Sequence, residues 1–280
     1  MIIWIASYPK SGNTWIRSFL TAYYFCENGI FDINKLNLIE DYPNKQFFKE
    51  KVKQGEIHKH WETSQKNIRD QKKVKFLKTH NSLITAFGND FTKPEYTLGV
   101  IYVIRDPRNV ITSVKNHNDL DTYDEALKFM QDENKVLEDY PHLKNYAKTN
   151  IVNSWRINYR SWLSNKSFRR VTIRYEDMVK NPTQTFEKLV VFVNTLMRFD
   201  NKIDQKKLNN AIDTTNFKSL QNIENAGKFG ENVYSLKDNR KIKFFYQGPD
   251  NDWKKNLDEN MIKKMNEYYQ NDLKFFQYEN

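Results

Sequence analysis

Short apolar runs alternate with longer amphipathic stretches along this chain, and the order of the two patterns carries the first inference. Residues 2–6 form an apolar run too short for a globular helix, and it stops at Ser7-Tyr8-Pro9. Asn13 or Thr14 then stands where a helix cap belongs, ahead of an apolar face of Ile16, Phe19, Leu20, Tyr23 and Tyr24. Residues 74–77 read as a second strand, ending at Lys78-Thr79-His80. Residues 98–104 are β-branched and continuous, the pattern of a strand buried on both faces. After Arg105-Asp106, Pro107 suits the first turn of a helix. Ile151, Trp155, Tyr159, Trp162 and Leu163 form a helical stripe. Residues 171–174 read as a fourth strand before Tyr175-Glu176-Asp177, and residues 183–196 as a further helix.

Strands separated by helices predict an α/β fold with a central parallel sheet flanked by helices. The chain shows no internal repeat, low-complexity linker or Pro/Gly-rich boundary, so one domain over residues 1–280 is expected. In such sheets the ligand crevice lies outside the carboxyl ends of the strands. Each polar cluster just named follows a strand, which makes that end the predicted site.

Composition then narrows the chemistry. The 45 Lys and Arg outnumber 35 Asp and Glu, a formal net charge of +10. Residues 1–118 hold 18 basic against 11 acidic residues and so carry most of the excess. A polyanionic partner is implied, whether nucleic acid, anionic membrane or phosphorylated small molecule, although lysines such as those in residues 66–75 also read as a solvated face. The single cysteine, Cys26, excludes an intrachain disulfide and a thiolate zinc cluster. His58, His60, His80, His117 and His142 do not fall at metal-ligand spacings, so no metal is expected. No apolar stretch approaches the roughly 20 residues that span a bilayer, and residues 1–10 lack a signal-peptide pattern. A cytoplasmic protein is the expectation.

Tyr8-Pro9-Lys10-Ser11-Gly12-Asn13-Thr14-Trp15 joins the first strand to the first helix. Small residues at a helix N-terminus expose backbone N–H groups to an anion, and Lys10 adds a mobile positive charge. The segment is not a Walker A sequence, because Lys10 precedes Gly12 and no glycine precedes the lysine. Read from its residues alone, it is either an anion cradle or a strand–turn–helix corner with a solvated lysine.

The segment resembles the 5′-phosphosulfate loop of cytosolic-type sulfotransferases, which use 3′-phosphoadenosine 5′-phosphosulfate (PAPS). Further matches follow in the family's order. Arg105 with Ser113 eight residues later resembles its 3′-phosphate pair, and Lys78-Thr79-His80 its lysine–threonine–histidine strand end. Tyr175-Glu176-Asp177-Met178, Thr215-Asn216-Phe217 and the Gly248 segment before Asp252-Trp253-Lys254 complete the set. The resemblance implies a P-loop-nucleotide-hydrolase-like sulfotransferase fold and in-line transfer from PAPS to a hydroxyl or amine of a small-molecule acceptor. It gives Lys10, Ser11, Gly12, Asn13 and Thr14 to the phosphosulfate, and Arg105 and Ser113 to the 3′-phosphate. Trp15, Tyr175, Thr215 and Phe217 go to the adenine.

The resemblance makes His80 the general base, with Lys10 and Lys78 as cations at the transferred group. His80 also suits that role chemically, because its unperturbed pKa lies near working pH. Tyr246 and Gln247 depart from the pattern, which carries two cations there; Arg240, Lys241 and Lys243 are candidate substitutes. The family's dimer motif is also missing, so that dimer is not expected. A structural pairing of Arg105 with Asp106 or Glu176, a P-loop kinase, and a nucleic-acid module remain alternatives on the residues alone. The aromatics sit at helical spacing rather than as a stacking platform, which argues against the last. Residues 28–70, 116–150 and 223–245, with Phe47, Phe48, Trp61, Tyr123, Phe129, Tyr140, Phe229 and Tyr234, are the expected acceptor pocket and lid.

Overall fold

The computed structural model describes residues 1–138, 146–231, 233–235 and 237–278. Its centre is a five-stranded sheet of β1 (Ile2–Ser7), β2 (Glu40–Asp41), β3 (Lys75–Thr79), β4 (Thr97–Ile104) and β5 (Arg170–Arg174). The spatial order is β2-β3-β1-β4-β5, and every pairing is parallel. β1 therefore lies in the middle; the chain passes first to the β2 edge, returns through β3 beside β1, and then crosses to β4 and β5 on the other side.

The continuous apolar runs are explained by cover on both faces. Ile2, Trp4 and Ala6 of β1 join one buried cluster with Leu77, Val100 and Tyr102. Ile3 and Ile5 point the other way and join Phe76, Ile101 and Val103. Helices α1 (Asn13–Phe25), α6 (Tyr175–Lys180), α7 (Pro182–Met197), α8 (Gln205–Thr215) and α9 (Phe217–Asn225) supply the second cluster. The first cluster is closed by α2 (Trp61–Asp70), α3 (Pro107–His117), α4 (Tyr123–Gln131), α5 (Trp155–Ser164), α10 (Trp253–Asn256) and α11 (Glu259–Phe275).

Two local expectations need correction. Ile151 is not part of a helix: it pairs with Val136 in a short antiparallel hairpin, Val136–Leu137 with Asn150–Ile151. The helix begins after Ser154, whose hydroxyl accepts from the Ile157 amide and caps it. Trp155, Tyr159 and Trp162 are buried on α5 as the periodicity predicts. Asn13 and Thr14 also fail as caps. Gly12 takes that position with φ 102, and no side chain caps α1.

Of the aromatics expected around an acceptor, Trp61 and Phe229 are instead core residues, 0% and 2% exposed. Phe47, Phe48 and Tyr123 pack onto the first cluster, and Tyr234 is about half exposed. Tyr140, like His142, lies outside the described residues.

Candidate active site

The carboxyl ends of the strands meet at a cleft of about 370 Å³. Asp41 reaches it from β2, Lys78 and His80 from the end of β3, Arg105 from β4, and Tyr175 from beyond β5. Lys10, Gly12, Asn13, Thr14 and Trp15 line it from the connection between β1 and α1. Strand order reverses about β1, so this is the switch-point crevice expected of an open parallel sheet.

The backbone of the β1–α1 loop is shaped for close approach by an anion. Lys10 and Gly12 both adopt positive φ, 65° and 102°. A Cβ on Gly12 would stand 2.7 Å from the Tyr175 ring, so a side chain is excluded on two grounds. With α1 uncapped, its first amides remain for a ligand, and the helix dipole favours negative charge there. The Ser11 hydroxyl is buried without a partner among the described residues. Asn13 turns away from the cap, donating from Nδ2 to the Ile5 carbonyl and the Ser7 hydroxyl, both at 3.1 Å.

Arg105 is 5% exposed, and no carboxylate among the described residues pairs with it. Asp106 instead pairs with Arg108 at 2.8 Å, while Glu176 accepts from the Asp106 amide, which removes the structural pairing considered for Arg105. Among the described residues Arg105 donates only to neutral groups: Ser113 Oγ at 3.3 Å, the Lys10 carbonyl at 3.4 Å and the Gly248 carbonyl at 3.0 Å. Its guanidinium carbon lies 4.0 Å from the centroid of the Tyr175 ring, and its Nε has no partner among the described residues. A buried cation with a spare donor beside an uncapped helix suits a polyanion.

Trp15 packs edge-on to Tyr175, with centroids 5.7 Å apart, and both line the cleft with Phe217. Gly248 holds a positive φ of 56° against Phe217, where a Cβ would fall 2.2 Å from the ring. Thr215 does not join them. Its hydroxyl donates to the Ala211 carbonyl within α8 at 2.6 Å and keeps only acceptor capacity, and the fully buried residue does not line the cleft. Neither do the candidate substitute cations: Arg240 pairs with Asp119 and Asp238, and Lys241 and Lys243 are not among the lining residues. Gln247 lines the cleft and exchanges hydrogen bonds with Asn256, which donates to Asn251. Asn251 in turn reaches Ser113 Oγ at 3.4 Å, so neutral amides border Arg105.

His80 is fixed by its backbone neighbours. Its Nδ1–H donates to the Ser7 carbonyl at 2.8 Å, which leaves the lone pair on Nε2. Its amide donates to Asn150 Oδ1 at 3.3 Å. Burial, with Lys78 and Lys10 nearby, pushes its pKa well below the usual value, so the ring is neutral. Lys78 pairs with Asp41 at 2.9 Å. Burial brings Lys10 down to about 7, with opposing contributions from Glu231 and Arg105.

Four of the lining residues fall within the stretches expected to form the acceptor pocket without having been singled out there. His117 sits four positions after Ser113 on α3, so helical spacing was a usable signal; its Nδ1 is 3.2 Å from Lys10 Nζ. Phe244 lies under the Lys10 ammonium, 4.1 Å from it to the ring centroid. Glu231 pairs with Arg17 at 2.5 Å, and Asp41 pairs with Lys78; neither carried a local signal. Among the described residues no group of three or more His, Cys, Asp or Glu is placed to hold a metal, and no helix is long and apolar enough to cross a membrane.

Comparison with known proteins gives this geometry a family. The profile described as Sulfotransferase domain matches residues 2–277. Sulfotransferase 1A1 of Canis lupus familiaris is 25% identical over 258 residues, covering 89% of this chain and 76% of the relative. Flavonol 3-sulfotransferase of Flaveria bidentis is 26% identical, covering 94% and 78%. Among solved structures, a mouse sulfotransferase complexed with PAP aligns over 98% of this chain and 84% of its own, with TM-score 0.59 and 17% identity. Retinol dehydratase in a complex with retinol and PAP aligns over 98% and 81%, with TM-score 0.62 and 14% identity. These two establish the shared fold. With the profile matched across nearly its whole length, the chain belongs to the sulfotransferase domain family, whose members are transferases of the sulfuryl group.

Proposed function

We propose that this protein, acting as one domain, transfers the sulfuryl group of PAPS to a hydroxyl or amine of a small-molecule acceptor and releases adenosine 3′,5′-bisphosphate. The observation that carries the reading is the convergence in one cleft of a neutral His80 with a free Nε2 lone pair, the uncapped α1 and the carboxylate-free Arg105. PAPS supplies an activated sulfuryl group on a phosphate leaving group; the residues of the chain do the rest.

Arg105 and Ser113 hold the 3′-phosphate, with Gln247 and Asn251 bordering them. The Ser11–Thr14 amides and the unpartnered Ser11 hydroxyl meet the 5′-phosphosulfate. Trp15, Tyr175 and Phe217 flank the adenine. His80 Nε2 takes the acceptor proton while Ser7 holds the ring in one tautomer. Lys10 and Lys78 lie near the transferred group, where an ammonium favours the developing charge. Phe129, Leu137 and Asn150 line the remaining wall and belong to the acceptor in this reading. A cytoplasmic site of action belongs to it too, since a single buried cysteine asks for no oxidising compartment.

The direct test is incubation with PAPS and a panel of phenols, alcohols, sugars and amines, read by mass spectrometry for the sulfonated product. The expected result is product with at least one acceptor, and thermal stabilisation by adenosine 3′,5′-bisphosphate exceeding that by Mg-ATP. Greater stabilisation by Mg-ATP, with no sulfonated product, overturns the proposal in favour of a kinase.

A further inference from the structure

The sulfuryl-transfer reading gives Lys10 a task and leaves open what holds it in place. A lysine side chain in an open cleft has many rotamers, and ordering them opposes any fixed placement of the ammonium. Here two contacts restrict it. Lys10 Nζ lies 3.2 Å from His117 Nδ1, at hydrogen-bond distance, where an ammonium can only donate, and 4.1 Å from the Phe244 ring centroid. The His117 and Phe244 rings themselves meet edge to face, with centroids 5.9 Å apart at 83°. The loop after β1, the last turn of α3 and the segment before Gly248 thus interlock around one ammonium.

We propose that His117 is a positioning residue for Lys10, accepting a hydrogen bond at Nδ1 that fixes the ammonium on the cleft wall while leaving its charge for the donor. The inference rests on the function proposed above. The chemistry of the acceptor decides the choice of residue. A carboxylate at this place would pair with Lys10 and compete with an anionic donor for it. A neutral imidazole accepts one hydrogen bond and neutralises nothing. His117 is neutral, because burial and the neighbouring Lys10, His80 and Lys78 push it down to about 2. The charged groups that bear on Lys10 are Glu231 and Glu224 on one side of the balance and Arg105 and Lys78 on the other. No carboxylate among the described residues pairs with Lys10 directly; Glu231 is engaged by Arg17, and Glu224 by the Phe244 and Phe245 amides.

The test compares His117→Leu, which removes the acceptor, with His117→Asn, whose side-chain oxygen restores one near the position of Nδ1. Two readouts are taken on each. The first is the titration of Lys10, followed by NMR at lysine Cε in carbon-13-labelled protein, a measurement that needs no activity. His117→Leu is expected to lower the Lys10 midpoint, because the charged form loses its acceptor, and His117→Asn to return it toward the parent. The second is sulfuryl transfer, where His117→Leu is expected to lower kcat about tenfold with KM for PAPS changed less than about threefold, and His117→Asn to recover most of it. An unchanged Lys10 midpoint in His117→Leu overturns the proposal, as does a His117→Asn protein no better than His117→Leu. If no sulfuryl transfer is found in any of the three proteins, the proposed function fails instead, and the titration still decides the role of His117. Should His117→Leu not fold, a Lys10 midpoint and kcat in His117→Asn close to those of the parent support the proposal, and an Asn protein with the midpoint displaced overturns it.

Discussion

The two walls of the cleft are built on different principles. One wall is made of residues within a few positions of a strand's carboxyl end: Lys10, Lys78, His80, Arg105 and Tyr175. Their separations follow from parallel register, which sets Ala6 beside Thr79 and Tyr102, and Ile104 beside Arg174. The other wall is drawn from α4, the paired strands Val136–Leu137 and Asn150–Ile151, and the segments around Glu231 and Phe244. There Glu231 is placed by its long-range pairing with Arg17, and Asn150 by the His80 amide. Under the proposed function, the wall fixed by the sheet takes the constant donor, and the wall fixed residue by residue takes the acceptor and can vary with it.

The largest expected contrast sets His80 against the acceptor wall. His80→Ala should lower kcat by about 10²–10⁴, the usual weight of general-base catalysis, with the affinity for adenosine 3′,5′-bisphosphate little changed. Lys10→Ala should cost about 3 kcal/mol of transition-state stabilisation, as the loss of an oxyanion-type donor does. Steady-state kinetics with PAPS and a responsive acceptor measure both. Retained turnover in His80→Ala would remove the histidine from the chemistry and dissolve the distinction between the walls.

The same contrast explains what was legible in the sequence. Residues 98–104 announce a strand covered on both faces because nothing polar interrupts them, and Arg105 is then located by chain continuity alone. The loop from Tyr8 to Trp15 is legible because its small residues and lysine are contiguous. Thr215 is not legible in this way, because its neighbours in sequence do not reveal that it is fully buried with its hydroxyl donating to the Ala211 carbonyl. Trp61 and Phe229 were misjudged because composition does not separate a pocket aromatic from a core one. Gly12 at the cap, in place of Asn13, shows a backbone demand overriding side-chain preference: the turn needs φ of 102° beneath Tyr175.

Next in size is a change at the segment that Arg105 of the sheet-fixed wall contacts, one that leaves the charges alone. Gly248→Ala forces a Cβ within 2.2 Å of the Phe217 ring at a φ of 56°. Strain of that kind is worth roughly 1–3 kcal/mol, so affinity for adenosine 3′,5′-bisphosphate should fall by about ten- to a hundredfold. Calorimetric titration reads this directly. Unchanged affinity would place the adenine away from Phe217. On the other wall, Phe129→Ala should raise the acceptor KM by about tenfold through lost apolar contact while donor affinity stays within about twofold. A larger effect on donor than on acceptor would erase the division between the walls.

The smallest expected effect is a proton. In the free protein burial brings Lys10 to about 7, so at pH 8 the ammonium is mostly deprotonated. A polyanion beside it favours the charged form, so binding at pH 8 takes up a proton, approaching one per site. By linkage, affinity for adenosine 3′,5′-bisphosphate must then fall as pH rises through and above 7, by about fivefold between pH 7 and 8. The sign is opposite for the stability of the free protein. The unfolded chain holds the Lys10 proton up to about pH 10, the folded chain only to about 7, so this group makes stability rise with pH across that window. Calorimetry in two buffers of different ionisation enthalpy counts the protons, and Lys10→Met should abolish the uptake. Uptake that survives in Lys10→Met would move the titrating group elsewhere on the cleft wall. It would leave Lys10 charged throughout, held by His117 as a permanent cation rather than one that the donor itself completes.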